Sequence, residues 1–131
     1  MRNDRKPRRL VVDERTVYWW TVRHEHLDGD VCREVLNLNL DGVRARIVFA
    51  GGEGRIVSGG AYWHSGLVAE SAGPALNLRE PGVVRAFVDE AGRRGLLPGS
   101  GELDGWELFP AVLVSRTAAT PGAPPDCPPG P

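Results

Sequence analysis

The sequence predicts an α+β fold, in which one amphipathic helix packs on the apolar face of a mostly antiparallel β-sheet, a meander of about 5–7 strands. Two observations predict this class. Residues 8–50 are rich in β-branched and aromatic residues that alternate with polar ones. Residues 81–94 carry apolar side chains at the spacing of one helix face.

The first half of the chain predicts consecutive strands joined by tight turns. The strands are RRLVVD at 8–13, TVYWWTVRHEH at 16–26, VCREVLNLNL at 31–40 and VRARIVFA at 43–50. Asp28-Gly29 and Asp41-Gly42 separate the last three of them. Asp-Gly between alternating runs favours a type I′ hairpin turn, because both central positions need a positive φ. We therefore expect two-residue turns at both places.

The second half predicts shorter elements around a single helix. A glycine-rich link at 51–60 contains a short strand at 55–58, and two further strands cover 66–70 and 75–79 around a turn at 71–74. The helix begins with Pro81 in its first turn and ends before Gly95. Its apolar stripe consists of Val83, Val84, Phe87, Val88 and Ala91. Residues 103–114 are expected to form one or two strands, with Pro110 at an edge or a break.

Two-residue turns fix the pairing of the strands, and the pairing sorts side chains by face. It places His24 opposite Arg33 and Leu36 opposite Ile47. The expected core face carries Val17, Trp19, Thr21, Leu36, Leu38, Leu40, Val43, Ala45, Ile47 and Phe49, and it ends at an Arg23–Glu34 ion pair. The helix stripe is expected to lie on Trp19, Leu38 and Ile47. A one-residue slip or a bulge would exchange the sets of side chains on the two faces.

The opposite face is the candidate binding face. Its expected members are Tyr18, Trp20, Asn37, Asn39, Arg44 and Arg46. Protein interfaces favour Trp, Tyr and Arg, so a protein partner is the first interpretation. Single-stranded nucleic acid is a second one, because aromatic side chains stack on bases, and Arg8 and Arg9 would extend the patch. In a third, the final strands or the loop at 51–66 simply cover this face.

A metal site is the main alternative. His24 and His26 are two residues apart on a strand and therefore share a face, where His64 could join them around one metal ion. The expected register places Cys32 opposite Glu25 on the other face, so its thiolate would not take part. No cofactor is expected under the first interpretation.

Composition bounds the domain organisation and the compartment. The 131 residues fit one domain at 8–115, between a basic arm at 1–7 and a tail at 116–131 that holds six prolines in sixteen positions. No apolar run approaches the ~18–20 residues of a membrane helix. A net charge of −1 argues against a uniformly basic nucleic-acid binder, and two cysteines are too few for a disulfide framework. We therefore expect a cytoplasmic protein without a membrane partner.

The strings YWWTVRHEH, CREVLNL, ALNLREPGVVRAFVDEA and LDGWELF together resemble a family of small uncharacterised actinobacterial proteins, over about residues 8–110. The resemblance implies a bacterial cytosolic domain and transfers no activity or site. The residues themselves favour a small non-enzymatic binding module, such as an accessory or immunity-type partner protein. The alternative function is a metal-binding domain or small metal-dependent enzyme centred on His24, His26 and His64.

Overall fold

The computed structural model describes residues 6–26, 32–52, 54–57, 66–70 and 73–119. The fold is α+β, as the sequence predicts. Its elements are β1 (Arg8–Asp13), β2 (Thr16–His26), β3 (Cys32–Leu40), β4 (Val43–Ala50), β5 (Arg55–Val57), β6 (Leu67–Glu70), β7 (Ala75–Asn77), α1 (Pro81–Arg93), β8 (Gly101–Asp104) and α2 (Gly105–Ala119). In this part of the chain, neither helix has the length and apolar composition needed to cross a bilayer.

The main sheet has the strand order β1-β2-β3-β4-β8. Its first four strands form the predicted antiparallel meander. β8 returns to add a parallel strand beside β4. A separate antiparallel sheet has the order β5-β6-β7.

The β3–β4 turn confirms the Asp-Gly prediction. Asp41 has φ 52° and Gly42 has φ 88°, the two positive values that a type I′ turn requires. The Gly42 amide donates a hydrogen bond of 2.9 Å to the side-chain oxygen of Asn39, which holds the turn in place. The predicted pairing of Leu36 with Ile47 is observed.

The predicted β2–β3 register is wrong by one residue. His24 lies opposite Glu34 rather than Arg33, and His26 lies opposite Cys32. Residues 27–31 separate the two strands, and the predicted Asp28-Gly29 turn falls outside the described residues. Because side chains alternate along a strand, this shift exchanges the faces of β2 and removes the expected Arg23–Glu34 pair.

The core lies between one face of the main sheet and both helices. We call this the inner face; its large side chains include Trp20, Leu36, Leu38, Ile47 and Phe49. Phe49 makes edge-to-face contacts with Phe87 of α1 and Trp106 of α2, each with 5.3 Å between ring centroids. The helix stripe thus belongs to the same buried core as Trp20, whereas Trp19, on which the register predicted the stripe to lie, is exposed.

Helix α1 follows its sequence signals. Pro81 is its first residue, and Gly95 has φ 77° just beyond its end, where glycine adopts the left-handed conformation at little cost. All five residues of the predicted apolar stripe are buried.

The predicted closing strands at 103–114 are wrong, because most of this segment belongs to α2. The side-chain oxygen of Asp104 accepts a 3.0 Å hydrogen bond from the Trp106 amide and so caps the helix. Trp106, Phe109 and Val112 recur at helical spacing and are buried in the core. Pro110 is exposed on the solvent side of the helix, and α2 continues to Ala119, past the boundary expected at 115.

Candidate binding face

The face of the main sheet opposite the helices is the candidate site. We call it the outer face. Three cross-strand rows define it: Arg9–Trp19–Asn39–Arg44, Thr21–Asn37–Arg46–Glu102 and Arg23–Val35–Val48–Asp104. The rows combine residues from β1, β2, β3, β4 and β8, so the register of the meander positions every side chain on this face.

A shallow depression of about 410 Å³ lies on the outer face. Thr21 and Asn37 are part of its lining, and the Asn37 amide nitrogen donates a weak 3.4 Å hydrogen bond to the Thr21 hydroxyl. The longer side chains of Trp19, Arg23 and Arg44 also line it. The depression therefore arises where short side chains meet long ones on a continuous sheet.

Trp19 gives the outer face an exposed apolar surface. Its side chain is 47% exposed, in contrast to its neighbour Trp20 at 2%. Val11 of β1 is 50% exposed and lies opposite Val17 of β2. The three side chains share one face, because Val17 and Trp19 are two residues apart on β2. They form an apolar strip beside the depression.

Ion pairs order the far side of the outer face. The Glu25 carboxylate accepts from Arg33 at 2.8 Å and from Arg46 at 3.1 Å, and Arg46 also reaches Glu102 at 2.8 Å. These side chains are partly exposed, so solvent screens the pairs and each contributes little to stability. Their main effect is to hold Arg46 in one orientation at the edge of the depression.

Three other arginines of the outer face differ from Arg46 in this respect. In the parts of the chain that the structure describes, the ion pairs within 4.0 Å include none from Arg9, Arg23 or Arg44. All three are exposed. Their guanidinium groups are therefore accessible to an incoming anion, with which they can pair.

Four of the six predicted binding residues lie where the sequence placed them. Asn37, Asn39, Arg44 and Arg46 line the depression. Asn39 also accepts the hydrogen bond that stabilises the β3–β4 turn, so it has a structural role.

The assignment of Tyr18 and Trp20 to this face is wrong. They are 4% and 2% exposed on the inner face, because the β2–β3 register is shifted by one residue. Burial raises the pKa of the Tyr18 hydroxyl. The guanidinium of Arg8 lies 4.8 Å from the centre of the Trp20 ring and donates a hydrogen bond to the Arg79 carbonyl oxygen. Arg8 therefore supports the core and does not extend the outer face.

Sequence reasoning missed Trp19, Thr21 and Arg23. A signal for them exists in β2, where positions 18, 20 and 22 are Tyr, Trp and Val while positions 21 and 23 are Thr and Arg. This alternation favours the even positions for the core. The predicted register of β2 follows from the expected two-residue turn instead of from this alternation.

The histidine candidates are only partly described. His24 pairs through Nδ1 with Glu34, whose side chain is fully buried. The side chain of His26 and the whole of His64 lie outside the described residues. Among the side chains that the structure describes, no group of three or more His, Cys, Asp and Glu is placed to hold a metal ion.

Comparison of the chain with known proteins gave no matching family model, curated protein or solved structure. The resemblance to small actinobacterial proteins therefore stays a prediction.

Proposed function

We propose that the protein is a non-enzymatic binding module that docks a protein partner on its outer face. The observation that supports this is Trp19, which is half exposed on the one face of the main sheet that neither helix covers. Exposing a tryptophan to water is unfavourable, and burying it against a partner recovers that free energy.

The surroundings of Trp19 fit a protein interface. An apolar strip of Val11, Val17 and Trp19 is bordered by asparagines and arginines. Interfaces commonly have this arrangement, with an aromatic anchor at the centre and polar side chains at the rim. The sheet already fixes the backbone of these residues, so binding has to order their side chains and not their backbone.

Site-specific photo-crosslinking tests the proposal. A photoreactive residue at Thr21 reports on the outer face, and one at Val114 serves as the control, since Val114 is 68% exposed on α2. In lysate of the source organism we expect a partner that crosslinks from position 21 and not from position 114.

The partner is then purified and its affinity is measured by calorimetry. Replacing a central aromatic anchor by alanine costs at least about 2 kcal/mol of binding, so Trp19→Ala should weaken the Kd about 30-fold or more. Val114→Ala should leave the Kd unchanged. Equal crosslinking from both positions, or equal affinity of wild type and Trp19→Ala, would refute the proposal.

The alternative metal function gains one observation from the corrected register. Cys32 lies opposite His26, beside the His24–Glu34 pair, and not opposite Glu25 as expected. Elemental analysis of the purified protein decides between the two functions. The binding-module proposal predicts no stoichiometric zinc, nickel or iron. One tightly held equivalent that is lost in His24→Ala would favour the metal function.

A further inference from the structure

We infer that the partner presents an extended acidic segment to the outer face, with carboxylates that pair with Arg23 and Arg44 and an apolar side chain that packs on Trp19. The inference rests on the proposed function and specifies its partner. It follows from the charge of the outer face, the spacing of its arginines and the depression between them.

The outer face is basic although the whole chain is not. Its three rows and the Glu25–Arg33 pair contain five arginines and three acidic residues, a net charge of +2, whereas the full chain carries −1. Two of the arginines, Arg33 and Arg46, are held by Glu25 and Glu102. The positive charge that remains belongs to Arg9, Arg23 and Arg44, and an acidic surface would complement it.

The spacing of these arginines fits an extended chain. Arg44 belongs to the same cross-strand row as Trp19. Arg23 belongs to the third row and is four residues from Trp19 along β2. Four residues along a strand cover about 13 Å, and the two strand spacings from β2 to β4 add about 10 Å across the sheet. The backbones of Arg23 and Arg44 are therefore roughly 16 Å apart on the diagonal, a distance that about five extended residues span.

The depression accommodates the middle of such a segment. Thr21 and Asn37 present a hydroxyl and an amide to it, and Trp19 and Arg23 lie beside it. An apolar side chain such as leucine can reach Trp19 while backbone groups of the segment reach Asn37. An ordered sheet of polar side chains thus provides a specific place for an apolar residue between two acidic ones.

A defined peptide tests the inference on the full-length protein. The probe is the blocked peptide Glu-Glu-Leu-Glu-Glu, and the matched control is Gln-Gln-Leu-Gln-Gln. Two-dimensional ¹H–¹⁵N spectra follow the Trp19 indole signal, assigned by its loss in Trp19→Phe, and the backbone amides of Asn37 and Arg44. We expect saturable shifts of these signals with the acidic peptide and none with the glutamine peptide.

Charge reversal provides the second measurement. Arg44→Glu and Arg23→Glu should each raise the Kd of the acidic peptide about tenfold, because each replaces an attraction by a repulsion. Arg15→Glu is the control, since Arg15 is exposed in the β1–β2 turn and does not line the depression. Equal binding of the two peptides, tighter binding of oligothymidylate than of the acidic peptide, or no shift with the acidic peptide would overturn the inference.

The crosslinked partner separates this inference from the proposed function. If Trp19→Ala weakens binding of the partner but Arg23→Glu and Arg44→Glu do not, the proposed function stands and the inference of an acidic segment is overturned. If Trp19→Ala leaves the Kd of the partner unchanged, both the inference and the proposed function are overturned.

Discussion

Trp19 and Trp20 are neighbours in the chain but lie on opposite faces of β2. Trp20 is 2% exposed in the core with Leu38, under the Arg8 guanidinium, while Trp19 is 47% exposed on the outer face. The two residues have the same side chain on the same strand and differ in the face on which they lie. They therefore form a matched pair for separating folding from binding.

We predict that Trp20→Ala destabilises the protein by about 3–5 kcal/mol, as a buried aromatic side chain leaves a cavity. Phe87→Ala, on the facing helix, should cost a similar amount. Trp19→Ala should cost under about 1 kcal/mol, because its side chain already contacts water. Urea denaturation of the three variants measures these differences. Similar midpoints for Trp19→Ala and Trp20→Ala would contradict the face assignment.

Burial of Tyr18 predicts a dependence of stability on alkaline pH. Its pKa is raised from the ordinary value of 10.0, because burial disfavours the phenolate. The unfolded chain therefore loses this proton at a lower pH than the folded protein does. The stabilising contribution is complete below pH 10 and falls as the pH rises from 10.0 through the folded-state pKa.

Ultraviolet titration and denaturation together check this expectation. The Tyr18 phenol should ionise later than a free tyrosine, and the titration should lose that late component in Tyr18→Phe. In wild type the free energy of unfolding should decrease above pH 10, relative to Tyr18→Phe. Identical pH dependence in both proteins would show that Tyr18 does not ionise differently in the two states.

At the scale of elements, the two hairpins show what the sequence could and could not predict. Asp41-Gly42 alone connects β3 to β4, so the positive φ values fix the register, and Asn37, Asn39, Arg44 and Arg46 were placed correctly. Between β2 and β3 the connection covers residues 27–31, and the local Asp-Gly signal does not set the pairing. Packing of Tyr18 and Trp20 under the helices sets it instead, because a one-residue slip would expose both.

Helix α2 was missed for a different reason. Residues 103–114 are mostly apolar, and a short apolar segment is typical of both helices and strands. Pro110 then favoured the edge of a strand. The helix signal was the spacing of Asp104 and Glu107, a cap residue followed by an acid three positions later. Pro110 lies inside the helix on its exposed side, where it displaces no core side chain.

The cap of α2 makes a specific prediction. Asp104→Ala removes the acceptor of the Trp106 amide and should lower the free energy of unfolding by about 1 kcal/mol. Asp104→Asn keeps an acceptor at the same place and should cost less. Thermal unfolding of both variants makes the comparison, and equal losses would mean that the hydrogen bond does not account for the effect.

At the scale of the whole molecule, the fold separates stability from recognition. Both helices and most of the large apolar side chains pack on the inner face, while Trp19 and the exposed arginines Arg9, Arg23 and Arg44 lie on the outer face. Substitutions of the exposed residues on the outer face can therefore change binding with little effect on folding. This separation is what makes the charge-reversal and alanine tests interpretable.

Truncating the chain after α2 and truncating it at the start of α2 should have opposite effects on stability. Residues 120–131 hold six prolines and no apolar periodicity, so we expect that removing them leaves the Tm within a few degrees of wild type. Ending the chain after Gly105 removes Trp106, Leu108, Phe109 and Val112, all buried in the core. That truncation should abolish cooperative unfolding, because the inner face loses one of its two helices and Phe49 loses an aromatic contact. Calorimetry of both truncations tests the domain boundary: a large loss of Tm in the shorter deletion would place part of the proline-rich segment in the folded domain.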